Sequence, residues 1–161
     1  MASYTHQIPE FFDALPPQGR LICLDVGSKT IGLAMSDASR MVASSLQLIE
    51  RTKFSKDMAI LAALITEHSM SGIVIGYPMN MDGSEGSRCQ STRQFARDMA
   101  TKVSLPTLLW DERLSTVAVN RMMVDEADLS RKRRGELVDK LAATYMLQGV
   151  LDALRFVIRD S

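Results

Sequence analysis

Apolar positions along this chain fall into two periods. Short unbroken runs at residues 20–26, 31–36, 72–76 and 107–110 are bounded by Gly, Pro or polar turns and read as buried strands. Residues 41–49 alternate only in part and read as a further strand. The stretch Gly27-Ser28-Lys29-Thr30 is turn chemistry, so the first two strands form a hairpin. Elsewhere the spacing is helical. Met58, Leu61, Ala62 and Ile65 predict an amphipathic helix over 55–68, with Ser55 as its N-cap. Cys89, Thr92, Ala96 and Met99 predict a second over 86–101. Ser115 is placed to cap a third over 116–123, and 136–154 reads as a strong helix with Glu136 and Lys140 paired one turn apart. Residues 77–86 (YPMNMDGSEG) and 125–135 carry no core-facing pattern and read as loops, and RFVIRD near the end as a short strand or frayed tail. The order is a three-strand meander followed by helix, strand, helix, strand and helices. That is an α/β chain with a mixed five-stranded sheet, its late strands parallel because helices connect them. Residues 1–19, punctuated by Pro9, Pro16, Pro17 and Gly19, read as an N-terminal extension lying across the surface, anchored by Phe11, Phe12 and Leu15; residues 20–161 form the domain.

Three acids stand out against this pattern. Asp25 follows Leu21, Ile22 and Leu24 where the first strand leaves the core, and Asp111-Glu112 ends the strand TLLW. Active sites of sheets with parallel strands collect at this carboxyl edge. Asp139 has Ala142, Ala143 and Met146 as its helical neighbours, which places it on an apolar stripe. A carboxylate there costs several kcal/mol, roughly, unless paired or bound to metal. Taken singly, each acid has a plainer reading: a turn residue, a surface pair with Arg113, a partner for a nearby arginine. Converging from two strands and a helix, they suit Mg²⁺ or Mn²⁺, hard cations that prefer oxygen ligands. Two such ions about 4 Å apart activate water and stabilise the leaving oxygen of a phosphodiester. Crowding raises the pKa of at least one of these acids in the metal-free protein.

Composition narrows the setting. Apolar residues make up 46% and charged residues 24%, which fits a globular chain, and no run is long enough to span a membrane. Glu10 and Asp13 interrupt the first apolar residues, and the start is not basic, so the N-terminus does not read as a signal peptide. Cys23 and Cys89 are far apart and read as reduced fillers, which points to the cytoplasm. His6 and His68 are isolated, which disfavours zinc. Formal net charge is +0, so a nucleic-acid site requires local clustering.

The blocks LDVGSKTIGLAMSD, IVIGYPMNMDGSEG, WDERLSTVAV and VDKLAATYMLQGVLD, in that order, resemble the YqgF/RuvX family of Holliday-junction resolvases, also described as pre-16S ribosomal RNA nucleases. The resemblance covers roughly residues 20–155. It implies an RNase H-like fold and metal-dependent hydrolysis of phosphodiesters, with Asp25, the acid of the DER block and Asp139 as ligands. Glu112 is favoured over Asp111, though the sequence leaves both open; on a continuing strand the two point to opposite faces, so only one serves. The chain departs from the family pattern at Thr30, Tyr77 and Ser87, which bears on the substrate loop and on no proposed ligand.

The basic run Arg131-Lys132-Arg133-Arg134 precedes the helix of Asp139 and is the best candidate for phosphate contact. Arg93 and Arg97, one turn apart, are further candidates, and Lys29 and Arg113 are placed to position the scissile phosphate. Asn80, Gly83 and Ser84 belong to a loop that opens a helix, where free N–H groups receive phosphate. No aromatics cluster beside the basic runs, so recognition by backbone and shape is expected, of structured RNA or branched DNA. A symmetric four-way junction requires a homodimer; ribosomal or RNA-processing partners suit the RNA alternative. Two other classes share parts of this pattern: a non-catalytic RNA- or ribosome-associated module, and an actin-like nucleotide-binding phosphotransferase, whose architecture needs two such domains where this chain has room for one.

Overall fold

The computed structural model describes residues 3–114 and 131–160; side chains are described from Leu141 to Val157 in the last helix. The elements are α1 (Ile8–Ala14), β1 (Arg20–Val26), β2 (Thr30–Ser36), β3 (Ala43–Glu50), α2 (Phe54–Glu67), β4 (Met70–Tyr77), α3 (Ser87–Ala100), β5 (Thr107–Asp111), a 3₁₀ turn (Glu112–Leu114) and α4 (Arg131–Asp160). The sheet order is β3-β2-β1-β4-β5. β1 and β2 are antiparallel, as are β2 and β3, while β4 runs parallel to both β1 and β5. The meander and the parallel late strands are therefore as the hydrophobic pattern predicts.

Alternation along the strands divides the core into two layers. Ile22, Leu24, Ile73, Ile75 and Leu109 face α2 and α3, where Met58, Leu61, Phe95 and Met99 complete the packing. Leu21, Cys23, Val74, Leu108 and Trp110 face the opposite side, packed against Phe11 of α1 and Ala143, Met146, Leu147, Val150 and Leu154 of α4. The N-terminal segment joins this second layer. Thr5 adds a parallel bridge at the outer edge of β5, accepting from Leu109 N–H at 2.8 Å and donating to the Thr107 carbonyl at 3.0 Å. Phe11 and Leu15 press onto Gly72 of β4, where a Cβ would lie 2.6 Å from Leu15 Cδ2 and 3.2 Å from Phe11 Cζ.

Three local expectations are corrected. Ser55 does not cap α2; Phe54 is already helical and Lys53 stands at the N-cap. Buried Asp57 reaches back past the helix start, accepting from Thr52 N–H at 3.2 Å and Thr52 Oγ1 at 3.3 Å, which ties the residue before the N-cap to α2 while its negative charge suits the positive end of the helix. Residues 131–135 are helical rather than loop, in keeping with the high helix propensity of Lys and Arg. RFVIRD continues the same helix, since Val150, Leu151 and Leu154 extend its buried stripe to that point and tertiary packing overrides the strand preference of Phe, Val and Ile. The predicted helix over 116–123 lies outside the described residues.

Candidate active site

The carboxyl ends of β1, β4 and β5 lie side by side, and their register sets which acids meet. Leu24 pairs with Ile75 and Gly76 with Trp110, so Asp25, one residue on, comes level with Gly76. Asp25 shares the face of Cys23, and Glu112 shares the face of Trp110; both belong to the layer under α4. Asp25 is 9% exposed. The side chain of Glu112 leans across β4, with Oε1 3.0 Å from where a Gly76 Cβ would stand. Met146 of α4 closes the same space from above, its Sδ 2.5 Å from that point. A side chain at residue 76 would collide with Met146 and crowd Glu112, and glycine leaves that space open. Their combined field is felt by Cys23: burial first, then the charges of Asp25 and Glu112, push its thiol well above the usual range.

Asp111 stands apart. It pairs in register with Tyr77, on the α2/α3 face. Arg113 clasps it, with Nη2 to Oδ2 at 2.7 Å, Nε to both oxygens at 3.1 Å, and backbone N–H to Oδ1 at 2.9 Å. Burial pulls the Asp111 carboxyl upward, but this fork outweighs it and holds the pKa below its ordinary value. The same guanidinium lies 3.8 Å from Met79 Sδ and 3.5 Å from the Cβ position of Gly83, so it braces the loop after β4.

That loop is built from its own polar groups. Asp82 accepts from Ser84 N–H at 2.9 Å and Ser84 Oγ at 2.6 Å; Asn80 Nδ2 donates to Ser84 Oγ at 3.0 Å; Gly83, at φ 88°, turns the chain. Buried Tyr77 donates its hydroxyl to Glu85 at 2.5 Å, and Arg93 binds both that hydroxyl and Glu85. Burial, then the Glu85 hydrogen bond, raises the Tyr77 pKa. Of the cations singled out in the sequence, Arg93 and Arg113 are thus each committed to a carboxylate. Arg97 is exposed on α3, and Lys29 is exposed on the β1–β2 turn. The side chains of Asp139 and of Arg131, Lys132, Arg133 and Arg134 lie outside the described residues; the backbone of all five is in the first turns of α4, Asp139 about two turns ahead of Met146.

Asp25 and Glu112 offer only oxygen donors, the set that suits a hard divalent cation. Among the described residues, no group of three or more His, Cys, Asp or Glu is gathered for a metal. The pair suits such a cation by donor type, but two carboxylates alone leave its coordination incomplete.

The sequence profile described as RuvX, Holliday junction resolvase, matches residues 19–153. The chain belongs to the RuvX family. A RuvX relative in Phenylobacterium zucineum, named "Putative pre-16S rRNA nuclease", is 57% identical over 141 residues, which covers 87% of this chain and 90% of that one. Another of the same name in Cereibacter sphaeroides is 55% identical over 153 residues, 95% of each. Among solved structures, T. thermophilus RuvC in complex with a Holliday junction substrate superposes with a TM-score of 0.52 at 11% identity, covering 89% of this chain and 98% of that one. At that identity the likeness is one of fold, and the fold is RNase H-like. Among the described residues no helix is long and apolar enough to cross a membrane.

Sequence reading missed Arg51 and Arg88. Each stands alone in sequence, so neither forms a basic run, and only the fold brings them beside the β1–β2 turn.

Proposed function

We propose that this RuvX protein is a nuclease that hydrolyses phosphodiester bonds in structured nucleic acid, using Mg²⁺ or Mn²⁺ in a two-metal arrangement. What supports the reading is the register that sets Asp25 level with Gly76, with Glu112 and Met146 of α4 against the same glycine, at the carboxyl edge of a RuvX sheet. Asp25, Glu112 and Asp139 are the proposed ligands, and Asp111 is assigned to holding Arg113 rather than metal. When bound, the ions supply charge stabilisation and activation of the attacking water. The rigid strand ends hold the carboxylates in place before substrate arrives, which spares reorganisation during the reaction. Lys29, at the adjoining turn, steadies the phosphate by charge. Arg131, Lys132, Arg133 and Arg134 at the start of α4 receive neighbouring phosphates.

Precursor ribosomal RNA is the first-choice substrate, because RuvX relatives more than half identical to this chain carry the pre-16S rRNA name. Four-way junction DNA is the alternative, favoured by the family description. The test is cleavage of both, beside single-stranded DNA, with Mg²⁺, with Mn²⁺ and with chelator. Metal-dependent cutting that disappears in Asp25→Asn, Glu112→Gln and Asp139→Asn supports the reading. Full activity in a folded Asp25→Asn protein would overturn it.

A further inference from the structure

A cleft of about 740 Å³ opens on the other side of the β1–β2 turn from Asp25. Val26 forms part of its wall, so it belongs to the α2/α3 layer, while Asp25 belongs to the α4 layer. Lys29, Arg51 and Arg88 line it, with the hydroxyl residues Ser28 and Ser91 and the ring of Phe95. No carboxylate is among the described residues that line it. In a chain of net charge +0, three cations gathered without an acid concentrate positive potential in one concave place.

Arg51 is held ready. Its Nη1 donates to the Gly27 carbonyl at 2.7 Å, and its guanidinium lies 5.6 Å from the centroid of the Phe95 ring. Its backbone N–H donates to Lys29 O at 2.8 Å, which ties the end of β3 to the turn. One donor is used on the turn, and a planar guanidinium carries several. Arg88 is exposed on the first turn of α3 across from it. Arg51 and Arg88 contrast with Arg93 and Arg113, whose charges are matched by Glu85 and Asp111.

We propose that this cleft is a second phosphate-binding site, which holds the sugar–phosphate backbone of the substrate strand away from the bond that is cut. The identity of its ligand rests on the nuclease reading above. Gly27, Ser28 and Lys29 form the ridge between the two sites, so a strand lying over the turn contacts the Asp25 edge on one side and Arg51 and Arg88 on the other.

The test is binding of a fluorescent RNA strand to the full chain by anisotropy, in chelator, across a salt series. Arg88→Ala is compared with Lys56→Ala, which removes an exposed charge from α2 outside the cleft. Arg88→Ala is expected to weaken binding about fivefold and to lower the slope of log Kd against log salt by about one. Lys56→Ala is expected to match wild type. Arg88→Ala behaving like Lys56→Ala, in a protein that still cuts nucleic acid, overturns the cleft and leaves the nuclease intact. Weaker binding by Arg88→Ala in a protein that cuts nothing with any metal supports the cleft and overturns the nuclease. A wild-type chain that binds no RNA at any salt overturns the cleft.

Discussion

Gly76→Ala tests the geometry on which the site depends. The added methyl would stand 2.5 Å from Met146 Sδ, 2.9 Å from Met146 Cε and 3.0 Å from Glu112 Oε1. Favourable separations between such atoms are about 3.5–4.0 Å, so the overlap with sulfur is about 1 Å or more. Met146 is fully buried and sits among Ala143, Leu147 and Val150, so its thioether cannot swing into water. Overpacking of this kind costs about 1–3 kcal/mol. Loss of glycine's freedom in the unfolded chain returns about 0.4–1 kcal/mol. The net expectation is destabilisation by about 0–2.6 kcal/mol, or up to roughly 10 °C in Tm for a chain of this size. Urea titration measures it, and Met146→Ala should cost about 1 kcal/mol less in this background than in wild type, the coupling expected of two groups in contact. Cleavage should fall further than stability explains, because the methyl also displaces the Glu112 carboxylate. A Gly76→Ala protein as stable as wild type, with no coupling to Met146, would refute the packing of α4 over this strand.

Glu112→Gln should reduce metal-dependent cleavage by about a hundredfold or more, the scale on which a lost charge-stabilising group acts; Asp111→Asn should act mainly by loosening Arg113, with a smaller loss of rate, and equal losses in initial-rate assays would reverse the assignment. Asp37 accepts from Met41 N–H at 2.8 Å, Val42 N–H at 2.9 Å and Ser39 Oγ, and the Ser39 hydrogen bond leads in lowering its pKa to about 2. Because the folded pKa lies below the unfolded one, this stabilisation is present above about pH 4 and is lost as pH falls toward 2. Wild type should therefore lose its advantage over Asp37→Asn across that window in thermal melts, and parallel curves would exclude the effect. Cys23 is fully buried with a raised pKa, so it should resist alkylation at neutral pH until the chain unfolds, as mass spectrometry of iodoacetamide-treated protein would show. Tyr77→Phe should free Arg93 and Glu85 from the hydroxyl and speed hydrogen exchange in residues 78–86, with little change in global stability.

Much of the architecture was legible along the chain. Unbroken apolar runs ended by turn residues located the strands, and helical spacing located α2, α3 and the core of α4, because burial of one face writes a period into the sequence. Asp25 could be noticed for the same reason: an acid at the end of an apolar run is an exception to that period. The ends of α4 could not be read this way. Its first turn carries four basic residues and its last turns carry Phe156, Val157 and Ile158, so neither end shows the apolar stripe that marks its middle. Nor could the choice between Asp111 and Glu112, which are adjacent in sequence and differ only in which face of the sheet each side chain takes. Register separates the two, bringing Gly76 level with Asp25, setting Asp111 beside Tyr77 and leaving Glu112 against Gly76; the proposed choice of Glu112 rests on that separation. The cleft of Arg51 and Arg88 is the extreme case. Local sequence records which residues alternate in or out of a core, whereas an electrostatic site depends on distances between separate elements, and those exist only once the chain has folded.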